Sequence, residues 1–435
     1  MTAVTLSALT DLEAEMKKCF RCSLCKLVPL PTVVDSRFSD GCPASRVFHF
    51  HGYSGSGKSI MALAVVEGRI AVDQSLAAVT FACTTCGLCD TACKFIMEAE
   101  RHVINMALRE HIVDAGFGLA THRELIDNLS LHGHPHGARH AAHSPWADGV
   151  PLKTAPAQQA PVLLLAGCHA AHDRDAARVA RKLALLLQRA GVDFVTLGED
   201  ERCCGLPAYW TGHRDVFART AADATAQFDA TGVRTIVTVS GSCLGTLRSK
   251  VPQYARAPQA QVVHATEFLA PLIAAGKLPL TTRVERTVTY HDPCYLGRQS
   301  EAPQEWNGQY KTTHGCMTYA DPPKGINRGV TGVFDAPRRI LRAIPGLEFV
   351  EMPRIREYSF CCGGGGGVPE AFPELARQTA RHRLDEAASV GAQCLVTACH
   401  HCRANLCAAQ SGPGASALPV VDIIDLLYEA AGIES

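Results

Sequence analysis

Cysteine spacing limits what this chain can fold into more tightly than any other feature. Two sets lie near the N-terminus: Cys19-x2-Cys22-x2-Cys25 followed by Cys42-Pro43, and Cys83-x2-Cys86-x2-Cys89-x3-Cys93. Two more follow, each built around a Cys-Cys-Gly: Cys168, Cys203-Cys204-Gly205 and Cys243, then Cys294, Cys361-Cys362-Gly363 and Cys399-x2-Cys402. Together they take up 17 of the 20 cysteines in 435 residues. The first residues show no basic segment leading into an apolar run, so no secretory leader is expected. The expected compartment is the cytoplasm, where grouped thiols stay reduced and serve as metal ligands rather than cross-links.

Composition excludes several classes. Formal net charge is zero and Lys and Arg form no long run, so neither nucleic acid nor an anionic membrane surface is expected as a partner. No stretch approaches the ~18 consecutive apolar residues of a membrane span. A hydrophobic fraction of 47% with 19% charged residues suits a globular chain of two to three domains.

Three regions separate by pattern. Residues 1–130 hold both triplet cysteine runs in mainly helical sequence, as at 11–18 and 96–109. Residues 131–160 turn to His, Pro and Gly, with His132, His134, His136, His140 and His143 broken by Pro135, Pro145 and Pro151, which reads as a linker or covering segment rather than a metal site. From 161 onward strands alternate with helices, and the order repeats. Strands at 162–166, 194–197 and 235–239 precede Cys168, Cys203-Cys204 and Cys243; strands at 288–290, 347–351 and 395–397 precede Cys294, Cys361-Cys362 and Cys399. Helices are expected at 176–189 and 336–344. This predicts two related α/β halves, 161–283 and 284–435, with cysteines at strand ends, where such sheets place their sites. The second half carries an insertion of 32 residues, about 299–332, with Trp306, Tyr310, Cys316 and Tyr319.

Three cysteines at two-residue gaps wrap one face of a [4Fe–4S] cube, and the fourth ligand must come from elsewhere; in two-cluster ferredoxins it comes from the other run. The expected sets are therefore Cys19, Cys22, Cys25 and Cys93 for one cluster, and Cys83, Cys86, Cys89 and Cys42 for the other. Two four-cysteine zinc sites are the alternative, although zinc ribbons use paired Cys-x2-Cys halves rather than triplets. Between the runs, Gly52 to Ser59 satisfies the phosphate-binding pattern G-x4-G-K-[ST]. That motif needs a parallel sheet behind it, and this segment is pinned between Cys42 and Cys83. It is read instead as a glycine-rich turn that brings backbone amides close to a cluster.

The later cysteines, together with His291-Asp292-Pro293-Cys294-Tyr295-Leu296-Gly297-Arg298, Val333-Phe334-Asp335-Ala336-Pro337-Arg338 and the glycine run 363–367, resemble the CCG domain of heterodisulfide reductase catalytic subunits. The likeness spans nearly the whole chain, whose layout is similar to D-type heterodisulfide reductases and to the iron–sulfur subunits of glycolate oxidase and anaerobic glycerol-3-phosphate dehydrogenase. It implies an α/β CCG-domain tandem preceded by a mainly α-helical two-cluster ferredoxin module. It also implies that Cys294, Cys361, Cys362, Cys399 and Cys402 bind a catalytic non-cubane [4Fe–4S] cluster. The first copy departs from the pattern: Ser240 stands where the last pair should begin, leaving Cys168, Cys203, Cys204 and Cys243 for zinc, an altered cluster or no metal.

The resemblance implies an iron–sulfur oxidoreductase subunit. Electrons pass between a flavoprotein or ferredoxin partner, two cubanes and a non-cubane cluster that reduces a disulfide or similar acceptor, within a multi-subunit complex. The alternative is a relay subunit of a hydroxyacid or acyl-CoA-linked dehydrogenase, delivering electrons to or from a flavoprotein or quinone. His291, His400 and His401 are candidate proton donors, and Arg298, Arg354 and Arg356 candidate anion binders. Cys316, Cys394 and Cys407 match no ligand set. Deleting the insertion is expected to change substrate or partner choice without removing iron.

Overall fold

The computed structural model describes residues 8–93, 97–137, 145–315, 317–325, 329–411 and 418–433. Up to His132 the described chain is helical, with short 3-10 turns between α-helices such as Glu13–Lys17, Pro43–Phe48, Gly55–Val66, Gln74–Phe81, Leu88–Cys93 and Arg101–Asp114. Local chemistry sets their starts. Pro43 opens its helix directly after Cys42, and Asp73 accepts from the Leu76 amide at 2.8 Å. The expected helix at 11–18 is a 3-10 turn, Leu9–Leu12, running into Glu13–Lys17, while the one expected at 96–109 forms later, at Arg101–Asp114. Leu12, Met16, Phe81, Ile104, Leu108 and Ile112 close a small core between these helices.

The remainder is built on parallel strands. The first sheet comprises β1 (Lys153–Thr154), β2 (Val162–Leu165), β3 (Phe194–Thr196), β4 (Thr235–Thr238) and β5 (Gln261–His264), in the order β1-β3-β2-β4-β5. The second comprises β6 (Arg286–Tyr290), β9 (Leu347–Phe349), β10 (Cys394–Thr397) and β11 (Val420–Asp422), in the order β11-β10-β6-β9; β7 (Gln309–Thr313) and β8 (Met317–Asp321) stand apart as an antiparallel hairpin. The shared order of the two sheets follows from the repeat: β2, β3, β4 and β5 occupy the places of β6, β9, β10 and β11. The central strands β2, β4 and β10 are buried nearly throughout, as strands covered on both faces are. One core joins the halves, running from Leu163, Leu183 and Val237 through Leu296 to Val396 and Leu427.

Two segments carry structure beyond the expected layout. Residues 153–154, placed in a linker, add an edge strand to the first sheet: Lys153 and Thr154 pair with Val195 and Thr196. The insertion contains the β7–β8 hairpin, which folds back on the N-terminal module. Tyr310 donates to Glu15 Oε2 at 2.7 Å, Lys324 pairs with Glu100, and Trp306 packs 5.1 Å from the Tyr310 ring. Cys316, His140 and His143 lie outside the described residues.

Candidate metal centres

Every cysteine set sits where an element ends. In the N-terminal module, Cys42, Cys83, Cys86 and Cys89 line one cavity with Lys58, Arg101 and the loop 83–89. Cys19, Cys25 and Cys93 instead gather around the Arg101 guanidinium, which donates to Cys93 Sγ at 3.7 Å and whose charge is reinforced by all three thiols. Cys22 is exposed nearby in sequence. The fourth cysteine of each run thus lies with the other run. Burial raises Cys42 to about 12 and drives Cys89 in the same direction. Any metal bound there must displace those protons.

The phosphate-loop look-alike serves this module. Residues 8–93 contain no strand behind it, and Lys58 is buried, its Nζ donating to the Tyr53 carbonyl at 2.5 Å. The turn presents its backbone to a thiol: the Ser56 amide donates to Cys25 Sγ at 3.4 Å.

In the α/β halves the thiols form two corresponding chains at strand C-termini. Cys203 lies 3.8 Å from Cys168, and Cys204 hydrogen-bonds both Cys203 and Cys243. Ser240 is fully buried, with Oγ 2.7 Å from Ser242 Oγ. In the second half the free thiols interact in series, Cys294 with Cys361, Cys361 with Cys362, Cys362 with Cys402 and Cys402 with Cys399. The bond to Cys402 pulls Cys399 down to about 6. The third residue of each Cys-Cys-Gly is obliged to be glycine. Gly205 and Gly363 have φ of +83° and +89°, and their amides donate back to Cys203 and Cys361 at 3.4 and 3.3 Å.

The motifs around these cysteines hold loops together. Asp292 takes a bidentate bond from Arg338 (2.7 and 2.9 Å) and a third from the Arg356 amide (2.8 Å), tying the Cys294 loop to the segment before Cys361. Of the three candidate anion-binding arginines, Arg298 and Arg354 are engaged inside the protein and Arg356 pairs at the surface. Arg298 donates to the carbonyls of Cys86, Glu357 and Ser359; Arg354 is buried on Glu386 and Asp40; Arg356 pairs with Asp335. His291 is buried, with Nδ1 accepting from Arg383 at 3.1 Å; its Nε2 has no partner among the described residues and lies within 4.8 Å of the Cys362 and Cys402 thiols. Cys394 is buried in β10, and Cys407 is half-buried in helix His400–Ala408, each facing a backbone carbonyl.

The modules meet at the metal sets, which sequence reasoning missed. Cys86 of the N-terminal module packs with Cys361 and Cys362 of the second half in one buried cluster. Around that contact, Arg109 donates to the carbonyls of Cys83 (2.6 Å) and Gly366 (2.9 Å), and Tyr295 takes a bond from Trp210 Nε1 (2.7 Å). A cavity of about 280 Å³ opens beside the site, lined by His136, His169, Trp210, Gly364, Gly367 and His401 among others. Four thiols at each N-terminal set and five in the second half are a donor set suited to iron–sulfur clusters, since thiolate is their protein ligand.

Comparison with known proteins agrees with this donor set. A 4Fe-4S dicluster domain profile matches residues 15–95, and a cysteine-rich domain profile matches 162–248 and 310–407, the second match leaving out Cys294. The chain is 32% identical over 359 residues to the D-type subunit of the dihydromethanophenazine:CoB–CoM heterodisulfide reductase of Methanosarcina mazei, covering 81% of this chain and 78% of that protein. Against the same protein of Methanosarcina acetivorans it is 30% identical over 431 residues, covering 96% and 95%. An EtfAB:quinone oxidoreductase from Syntrophomonas wolfei is 27% identical over 362 residues, 80% of this chain and 46% of that protein. Among solved structures, a hypothetical protein from Helicobacter pylori shares the fold at a TM-score of 0.50 and 11% identity, over 87% of this chain and 68% of its own. No described helix is long and apolar enough to cross a membrane.

Proposed function

Since the chain belongs to the D-type heterodisulfide reductase family of iron–sulfur oxidoreductases, we propose that it is the disulfide-reacting subunit of a multi-subunit electron-transfer complex. Cys19, Cys22, Cys25 and Cys93 would hold one cubane [4Fe–4S] cluster, and Cys42, Cys83, Cys86 and Cys89 a second. Cys294, Cys361, Cys362, Cys399 and Cys402 would hold a non-cubane cluster. When bound, these groups supply one-electron carriers and, at the five-thiol set, a reductant for a disulfide.

The chain's own residues organise that chemistry. Arg298 ties the Cys86 carbonyl to the loop entering Cys361, and Arg109 ties the Cys83 carbonyl to Gly366, so the second N-terminal set and the five-thiol set keep a fixed separation. The Asp292–Arg338 pair orients the Cys294 loop. The 280 Å³ cavity beside Gly364 is the candidate substrate pocket, walled by Trp210 and Pro207 and carrying His136 and His401 as polar groups. The observation that carries the reading is the packing of Cys86 with Cys361 and Cys362 in one buried cluster, which brings a carrier set beside the set with a ligand to spare. The first half, with Ser240 in place of a thiol, is proposed as a structural or altered site.

The test is anaerobic. Dithionite-reduced, desalted holoprotein is mixed with a panel of disulfides that includes the CoB–CoM heterodisulfide named for the methanogen relatives. Reoxidation with stoichiometric thiol release, lost in Cys361→Ala, supports the proposal. Failure of every disulfide while a flavoprotein or quinone reoxidises the protein refutes it. That outcome supports the relay reading instead, which the likeness to the quinone oxidoreductase favours.

A further inference from the structure

Histidines from three separate stretches meet between the two halves. His134 and His136 come from the segment after helix Arg123–His132, His169 and His172 from the turn that follows Cys168, and His400 and His401 from the start of the helix that follows Cys399. Ring centroids lie 3.9 Å apart for His169 and His400, 4.4 Å for His169 and His401, and 4.2 Å for His400 and His401. His136 lies 5.1 Å from His169 on the outer side. His134 has another role: its Nε2 contacts the Cys168 carbonyl at 2.9 Å and its Nδ1 takes the His136 amide at 3.2 Å, which fixes His136 in place.

The inner three rings are under-used as hydrogen-bonding groups. One nitrogen of each of His169, His400 and His401 lies within 4.8 Å of the others. His400 Nε2 and His401 Nδ1 are buried and have no hydrogen-bond partner among the described residues. Buried polar atoms are seldom left so, and two converging on a third imidazole call for a shared ligand. Around a tetrahedral zinc with Zn–N of about 2.0–2.1 Å, ligand nitrogens sit about 3.3 Å apart, so binding requires the three closely packed rings to turn about their side-chain torsions and splay apart, bringing their nitrogens together from within 4.8 Å.

We propose that His169, His400 and His401 form a three-imidazole binding site for a divalent zinc ion, distinct from the cysteine sets. Its open coordination position faces the 280 Å³ cavity that His136, His169 and His401 line. Three protein ligands with one position left open is the arrangement of zinc sites that receive a ligand rather than hold a fold. The class of ligand is a small anion bearing a thiolate or carboxylate, held beside Trp210 and the Gly364 turn. The site spans both halves, since His169 belongs to the first and His400 and His401 to the second, and it does not depend on which acceptor the five-thiol set serves.

The test uses anaerobically purified holoprotein equilibrated with one equivalent of Zn2+ and desalted. Zinc and iron are quantified on the same sample, and the zinc environment is read by Zn K-edge X-ray absorption. The expected result is about one zinc per chain with nitrogen scatterers at about 2.0 Å and an imidazole outer shell. In His169→Gln, zinc is lost at unchanged iron content. If that variant also loses iron, the wild-type spectrum decides alone. Absence of retained zinc, or a sulfur shell at about 2.3 Å marking zinc on cysteines, overturns the proposal.

Discussion

Arg109→Met tests how the modules are joined. The guanidinium is fully buried, and its partners are carbonyls rather than a carboxylate: Cys83 at 2.6 Å, Gly366 at 2.9 Å, Phe81 at 3.2 Å, Thr80 at 3.4 Å, and Trp210. Phe81 O also takes the Cys83 amide at 2.7 Å, so it keeps a donor when the arginine is lost. The carbonyls of Cys83, Gly366 and Trp210 depend on Arg109 most. Methionine retains much of the stem's packing and none of the donors, leaving three buried acceptors unpaired at about 1–2 kcal/mol each, or about 3–6 kcal/mol in all. With an unfolding entropy of about 2.1 cal/mol/K per residue, a cooperative unit of 435 residues has about 0.9 kcal/mol/K. The thermal midpoint should therefore fall by about 3–7 °C. Scanning calorimetry on anaerobic holoprotein reads this directly, and Arg109→Lys, with one compact donor group, should fall in between. A midpoint for Arg109→Met within about 1 °C of the wild type would refute the reasoning, because it would mean that these carbonyls find other partners.

Gly363→Ala should cost about 2–4 kcal/mol and lower iron content, because φ is +89° and a Cβ would stand 2.6 Å from the Ala376 carbonyl. Gly205→Ala, whose nearest obstacle is the Phe217 ring at 3.0 Å, should cost less; equal costs in denaturant titrations would contradict the geometry. Glu386 sits between Arg354 (2.8 Å) and Arg383 (2.6 Å), and those charges outweigh its burial and hold its carboxyl below the ordinary value of 4.5. A lowered carboxyl contributes stability that is fully present above pH 4.5 and is lost as pH falls through its folded value. Glu386→Gln should be destabilised by about 3–5 kcal/mol at neutral pH, and the gap between wild type and variant should close only on the acid side; a gap that already narrows above about pH 6 would refute the assignment. Tyr310→Phe removes the hairpin's bond to Glu15 and should lower stability by about 1 kcal/mol with iron retained; no change would deny the hairpin its clamping role.

The elements carrying the chemistry are legible in the sequence because their signals are local. Apolar runs bounded by cysteines mark β2, β3, β4, β6, β9 and β10, and the repeat of those runs announces two like halves. Strands β1, β5 and β11 are harder: each is short and no ligand-set cysteine follows to mark its end, so each is found only by its pairing with a neighbour. The hairpin β7–β8 reads only as an insertion, since its contacts with Glu15 and Glu100 run across nearly 300 and more than 200 residues of chain. The same limit applies to Arg109 and Arg298. Their sequence neighbours say nothing about carbonyls brought to them by the fold, so Arg298 reads as a candidate anion binder when it is a clamp. The His tract reads as a linker because prolines interrupt it. Its packing against His169 and His172 depends on the tertiary arrangement.

The central claim is that the five thiols of the second half hold a redox cluster in contact with the N-terminal carrier sets. Iron quantification with EPR on anaerobically purified wild type and Cys361→Ala tests it most directly. About twelve irons per wild-type chain and about eight in the variant are expected, with one distinctive paramagnetic signal disappearing alongside them. About eight irons in both proteins, with identical spectra, would contradict it.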